Sequence, residues 1–186
     1  MNFSKSTIKG IVVIKPTVFN DQRGYFLESF NKNDFEKAIG KVSFVQDNES
    51  KSSKGVLRGL HYQNPPFAQS KLVRCLEGKV LDIAVDIRKD SPTYGSYHSA
   101  ILSGENKKQI YIPKGFAHGF VVLSDTAVFA YKVDNSYAKE YEAGIKWNDN
   151  ELGIKWGLEK NEIIVSEKDE LLTLFSELKS PFKFIL

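Results

Sequence analysis

The chain has 186 residues, of which 41% are hydrophobic and 26% charged, the balance of a globular protein able to bury one sizeable core. Its formal net charge of +3 is spread over scattered lysines, with no basic run and no basic stripe interleaved with aromatics, so a nucleic-acid partner is not implied while a small anionic ligand is compatible. The longest apolar runs, FVVL at 120–123 and VFAY at 128–131, are too short to span a bilayer, and MNFSKSTIKGIVVIKP lacks the apolar stretch and cleavage site of a secretory signal, so a cytoplasmic protein with no membrane partner is expected.

Taken in chain order, ten short segments alternate apolar and polar residues or are rich in β-formers: IKGIVVI, GYFLESF, VSFVQD, GVLRGLHY, KLVRCL, KVLDIAVDI, YHSAIL, KQIYIP, GFVVL and AVFAYKV. Turn residues separate them at Asp21 to Gly24, Asn64-Pro65-Pro66, Glu77-Gly78, Ser91-Pro92, Gly104, Pro113 to Gly115 and Ser124-Asp125. Closely spaced short strands with such punctuation predict an all-β, antiparallel double-sheet jelly roll rather than a βαβ fold. Two segments read as helical: Asp34 to Ile39, closed by Gly40, and a C-terminal run from Glu170 to Leu178 opened by Ser166 to Asp169. No repeat, linker or low-complexity tract divides the chain, so residues 1–186 are expected to form a single domain. The lone cysteine, Cys75, lies in LVRCLEG and reads as a buried structural thiol.

Within GVLRGLHYQ, Arg58 and His61 stand three apart in an apolar run. Side chains alternate faces along a regular strand, so the two residues share a face only if the register is broken. Gly59 between them is the residue type that marks a bulge. A structural arginine–carboxylate pair and a ligand site are equally compatible with this strand. His98 reads as a solvated or edge histidine. Lys71 reads as a strand-end lysine, and Tyr131 as a core tyrosine with its hydroxyl at the rim. Asp169 suits the first turn of a helix, and His118, after the Pro-Lys-Gly turn, reads by itself as a donor to a backbone carbonyl. The three histidines lack a His-x-His pair with a nearby carboxylate, so no metal site is expected.

Together, DQRGYFLESF, FVQDNES, VLRGLHYQ, KLVRC, VLDIAVDIRKDSPTYG, IPKGFAHGF, YKVDNSY and WND closely resemble the dTDP-4-dehydrorhamnose 3,5-epimerase family, from about residue 8 to the final helix. The resemblance implies a cupin-type jelly roll that works without metal or cofactor on a dTDP-linked 4-keto-6-deoxy sugar. It also implies a homodimer in which an N-terminal segment of one subunit reaches the partner's site. Carried over by position, it makes His61 the general base, Asp169 the carboxylate that orients it, Tyr131 the general acid, and Lys71, helped by Arg58, the cation at the developing enolate. His118 becomes a further substrate contact. Arg23, Glu28, Gln46 and Asn48 match positions that grip nucleotide and diphosphate, the first two in the neighbouring subunit's site. Glu142 and Lys168 match further binding positions, and Tyr137 would stack on the thymine. The same residues would serve an epimerase acting at C3 or C5 alone, or on another nucleotide-linked 4-keto sugar. A non-catalytic sugar-nucleotide-binding jelly roll and a metal-dependent cupin oxygenase are the alternatives from other classes.

Overall fold

The computed structural model describes residues 1–185. Its strands are β1 (Asn2–Lys5), β2 (Val12–Lys15), β3 (Val18–Asp21), β4 (Gly24–Leu27), β5 (Gln46–Ser53), β6 (Leu57–Gln63), β7 (Lys71–Glu77), β8 (Lys79–Asp86), β9 (Tyr97–Ser103), β10 (Gln109–Ile112), β11 (Phe116–Val122), β12 (Thr126–Val133) and β13 (Glu142–Gly144), with short helices α1 (Lys32–Ala38) and α2 (Glu167–Glu170). A six-stranded sheet in the order β1-β2-β10-β7-β12-β5 faces a five-stranded sheet in the order β13-β6-β11-β8-β9, while β3 and β4 form a separate hairpin. The strand pairs within both sheets are antiparallel, giving a double-sheet jelly roll. Among the described residues, no helix is long and apolar enough to cross a membrane.

The two sheets close on a core in which Val73, Cys75, Ile110 and Phe129 of the six-stranded sheet meet Val80, Leu102, Phe120 and Val122 of the five-stranded one. Cys75 is buried there, its thiol pushed up to about 11, chiefly by desolvation. The five-stranded sheet is covered on its other face as well: Leu57, Leu60, Ile83, Val85 and Val121 pack against Ile145, Trp147, Trp156 and Phe175 of the C-terminal third. Burial on both faces explains why KVLDIAVDI and GFVVL read as continuous apolar runs instead of alternating. A third cluster seats Phe35 of α1 against Val12, Ile14, Leu72 and Tyr111. The helix starts where the Asn31 side chain accepts from the N–H groups of Asn33 and Asp34, an ordinary N-cap.

Three expectations change. The apolar run Glu170 to Leu178 is not a helix: α2 ends at Glu170, a separate 3-10 turn covers Phe175–Glu177, and Leu171 is 83% exposed. This segment is instead tied to the sheet from both sides, because Leu57 donates a backbone hydrogen bond to Ile164, Ile164 donates one to Gly55, and Lys146 donates to Thr173. The segment VSFVQD does not hold one strand; β5 begins at Gln46 and runs through the polar sequence QDNESKSS. GYFLESF contributes only β4, paired with an unforeseen partner, β3, across the expected turn at Asp21 to Gly24.

Candidate active site

The break expected at Gly59 is present. On β11, His118 and Phe120 are two apart and lie on one face, yet they pair with His61 and Arg58, which are three apart on β6. One extra residue on β6 therefore brings Arg58 and His61 onto the same inner face. Glycine is required there: the φ of Gly59 is +144°, and a Cβ on it would sit 2.5 Å from the Gly119 Cα on β11, so the two glycines let the strands approach closely.

Arg58, His61 and His118 of the five-stranded sheet and Lys71, Phe129 and Tyr131 of the six-stranded sheet line a cavity of about 580 Å³. A smaller adjoining cavity of about 260 Å³ shares His61, Lys71, Tyr131 and Glu142 and adds Gln46, Asn48 and Tyr137. The polar β5 now has a reason: it pairs with β12 so that Asn48 stands opposite Tyr131 and Ser50 opposite Phe129, and its inward side chains face the cavities rather than the apolar core. Ser52 accepts a hydrogen bond from Arg58 Nε at 3.2 Å, holding the guanidinium across the gap between the sheets.

His61 lies 2.7 Å through Nε2 from Asp169 Oδ1, a contact between residues 108 positions apart. Asp169 is 4% exposed and its Oδ2 accepts from the Gly59 N–H at 3.4 Å. Burial pushes this carboxyl up, but the hydrogen bond and charge of His61 and the Gly59 N–H outweigh it, so it lies below its ordinary value and is ionised. An ionised Asp169 accepts a hydrogen bond from the Nε2–H of a neutral His61, which leaves the basic lone pair of the ring on Nδ1. Asp169 is placed by the first turn of α2, where Ser166 caps its N–H; the turn serves as a mount, and the carboxylate is directed to the histidine.

His118 corrects the reading from residue type alone. Its Nε2 meets not a backbone carbonyl but Asp82 Oδ2, at 2.8 Å, and the pair is 6% and 1% exposed. Burial holds the imidazole below its ordinary pKa, against the opposing pull of Asp82. The neutral ring thus donates from Nε2 and presents Nδ1 as an acceptor. Asp82 was missed in the sequence, although a carboxylate in the middle of VLDIAVDI is itself a signal, since a buried anion needs a donor. His98 is also corrected: it is partly buried, with Nδ1 3.0 Å from Ser6 Oγ.

Lys71 Nζ lies 6.0 Å from the centroid of the Tyr131 ring. Desolvation draws its pKa down to about 8, while the carboxylates of Asp82 and Glu142 resist the fall. It is therefore a cation at neutral pH, but one close to losing its proton. Burial raises the Tyr131 phenol, with Arg58 opposing, so the hydroxyl keeps its proton. At the rim, Glu142 accepts from Tyr137 Oη at 2.7 Å and pairs with Lys168 Nζ at 2.5 Å. Burial favours the protonated form of Glu142, but these two partners prevail and hold it below its usual range. Gln46 donates to Asn48 at 2.8 Å and accepts from the Tyr137 N–H at 3.2 Å.

Two residues do not join this cavity. Arg23, in the β3–β4 turn, has 85% of its side chain exposed and is held by Asp21, and Glu28 accepts from Asn31 Nδ2. Among the described residues, no group of three or more His, Cys, Asp or Glu side chains is gathered as a metal site.

The cavity is found in a chain whose residues 5–177 match the family model described as dTDP-4-dehydrorhamnose 3,5-epimerase. It is 56% identical to the dTDP-4-dehydrorhamnose 3,5-epimerase of Shigella flexneri over 170 residues, covering 91% of this chain and 93% of that one. With the enzyme of the same name from Escherichia coli K12 the identity is 51%, over 96% of both chains. The crystal structure of a dTDP-6-deoxy-D-glucose-3,5-epimerase from Legionella pneumophila in complex with dTDP-4-keto-L-rhamnose superposes with a TM-score of 0.95 at 45% identity, covering 100% of this chain and 99% of that one. With residues 5–177 of the 186 matched by the family model and relatives above half identical, this chain belongs to the dTDP-4-dehydrorhamnose 3,5-epimerase family.

Proposed function

We propose that the chain converts dTDP-4-dehydro-6-deoxy-D-glucose to dTDP-4-dehydro-L-rhamnose by inverting C3 and C5, with the cavity between the sheets as the active site. The observation that carries this reading is the opposition of His61, backed by Asp169, to Tyr131 on the facing sheet. Inversion at carbon requires a proton to leave one face and another to arrive at the opposite face, and the two sheets supply one group each.

The C4 ketone makes the hydrogens on C3 and C5 acidic, so the chemistry is proton transfer with no net change of oxidation state. His61 Nδ1 takes the proton; Asp169 then stabilises the imidazolium. Tyr131, kept protonated by burial, returns a proton from the other side. Each positioned group contributes roughly 10²- to 10⁴-fold, which is too little for a carbon acid. The remainder falls to Lys71 and Arg58 at the C4 oxygen, where one preorganised donor is worth about 3 to 4 kcal/mol. His118 Nδ1 accepts from a sugar hydroxyl. Gln46, Asn48, Tyr137, Glu142 and Lys168 at the rim receive the nucleotide diphosphate end; Lys168 would leave Glu142 for a phosphate.

Arg23 and Glu28 lie away from the cavity of their own subunit, which supports a homodimer in which the β3–β4 hairpin and its flank complete the partner's site. We read the chain as one catalytic domain working in the cytoplasm. The test is NMR of the wild-type protein with dTDP-4-dehydro-6-deoxy-D-glucose in deuterated water. The proposal expects deuterium at both C3 and C5 and the L-rhamno product; deuterium at one carbon only would make it a single-centre epimerase, and none at either would remove the catalytic reading.

A further inference from the structure

Behind His118, on the side away from the cavity, the inner face of the five-stranded sheet carries a second, partly buried histidine, His98, for which the proposed reaction has no use. The register sets Asp82 opposite Phe120 and Ala100, and Ala84 opposite His118 and His98. His98 is therefore a diagonal cross-strand neighbour of Asp82, with only the small side chains of Ala84 and Ala100 flanking the two, a separation that polar side chains span directly or through one water.

Their hydrogen-bonding needs match. Asp82 Oδ2 is used by His118, while Oδ1 is shut from solvent and has no partner among the described residues; the same holds for His98 Nε2. Ser6 Oγ already accepts the Ile8 N–H at 3.2 Å, so its own proton is available for His98 Nδ1, 3.0 Å away. That assignment places the proton of a neutral His98 on Nε2, and burial favours the neutral ring, with the Asp82 charge opposing. Nε2–H is then a buried donor in need of an acceptor, and Asp82 Oδ1 a buried acceptor in need of a donor. Groups of this kind are rarely left unpaired, and a polar recess between two of them is where a buried water sits.

We infer that His98 and Asp82 hold one buried water behind His118, and that through it His98 acts as a positioning residue for the active-site histidine. The water fixes the second oxygen of Asp82, so the carboxylate is clamped at both ends. His118 then keeps one orientation and one tautomer, with Nδ1 turned to the cavity. Ser6 extends the clamp to the segment between β1 and β2.

Two measurements test this. A high-resolution crystal structure of the unliganded wild-type protein should show a water about 2.6–3.2 Å from both Asp82 Oδ1 and His98 Nε2; no such water, or another partner for either atom, overturns the inference. In kinetics, which rest on the epimerase reading, His98→Leu should lower kcat three- to tenfold with KM within twofold. His98→Gln, which keeps a terminal N–H near the Nε2 position, should restore at least half of the loss. Wild-type kcat in the Leu variant, or equal losses in both variants, would remove the positioning role. A wild-type protein without epimerase activity would defeat the functional reading and leave the crystallographic test standing, as it also stands if the Leu variant does not fold.

Discussion

Replacing Asp169 by asparagine keeps the shape at the His61 contact and removes its charge. Two effects follow from the geometry. The first is the loss of a charge-assisted hydrogen bond to the imidazolium formed on proton abstraction; such bonds exceed neutral ones by about 1 to 2 kcal/mol, or roughly five- to thirtyfold in rate. The second arises because the carboxylate serves two donors, His61 Nε2 at 2.7 Å and the Gly59 N–H at 3.4 Å. An amide has one oxygen to divide between them. If the oxygen stays with Gly59, the amide NH₂ faces Nε2 and drives the His61 proton to Nδ1, the nitrogen that must accept the substrate proton. A histidine held in the wrong tautomer by this same substitution loses on the order of 10⁴ in kcat in the serine proteases. Asp169→Asn should therefore reduce kcat by about 10²- to 10⁴-fold, with a smaller change in KM, measured by steady-state conversion of the 4-keto sugar nucleotide. A variant within threefold of wild type would refute the proposed role of the pair.

Lys71, drawn down to about 8 mainly by desolvation, is charged below that pH and neutral above it; if it stabilises the enolate, kcat should fall as pH rises through about 8, and a flat profile from pH 7 to 9 would argue against it. Lys71→Ala should lower kcat on the order of 10²- to 10³-fold, whereas a change confined to KM would make Lys71 a binding residue. Gly59→Ala would put a side chain at φ +144° and 2.5 Å from the Gly119 Cα; a loss of at least about 2 kcal/mol is expected. Thermal denaturation should record it as a fall of several degrees, and an unchanged midpoint would show that the two strands do not approach as described.

Much of the fold was legible because strands buried on one or both faces leave period-two or continuous apolar signatures. β5 was misplaced because it lacks one: its inward residues, Asn48, Ser50 and Ser52, face the cavities and Arg58, so function replaced the apolar face that marks a strand. The run Glu170 to Leu178 failed for the opposite reason. Its leucines have helical spacing, but backbone bonding on either side of α2 ties the segment to the sheet and leaves Leu171 in solvent. At Gly59, local chemistry did predict the tertiary feature, since the broken register is the consequence of a glycine between two polar residues in an apolar strand. The dyads were not derivable from residue types. His61 and Asp169 meet across 108 positions, and His118 and Asp82 across 36; only family resemblance pointed to the first pair, and Asp82 was hidden by reading its strand for hydrophobicity alone.

The most direct test of the account is exchange of the substrate's C3 and C5 hydrogens with deuterated water, followed by NMR in parallel for His61→Ala and Tyr131→Phe. The proposed division of labour requires that His61→Ala abolish exchange at both carbons, and that Tyr131→Phe retain exchange while failing to form the L-rhamno product. Exchange at the wild-type rate in His61→Ala, or normal product from Tyr131→Phe, would contradict it.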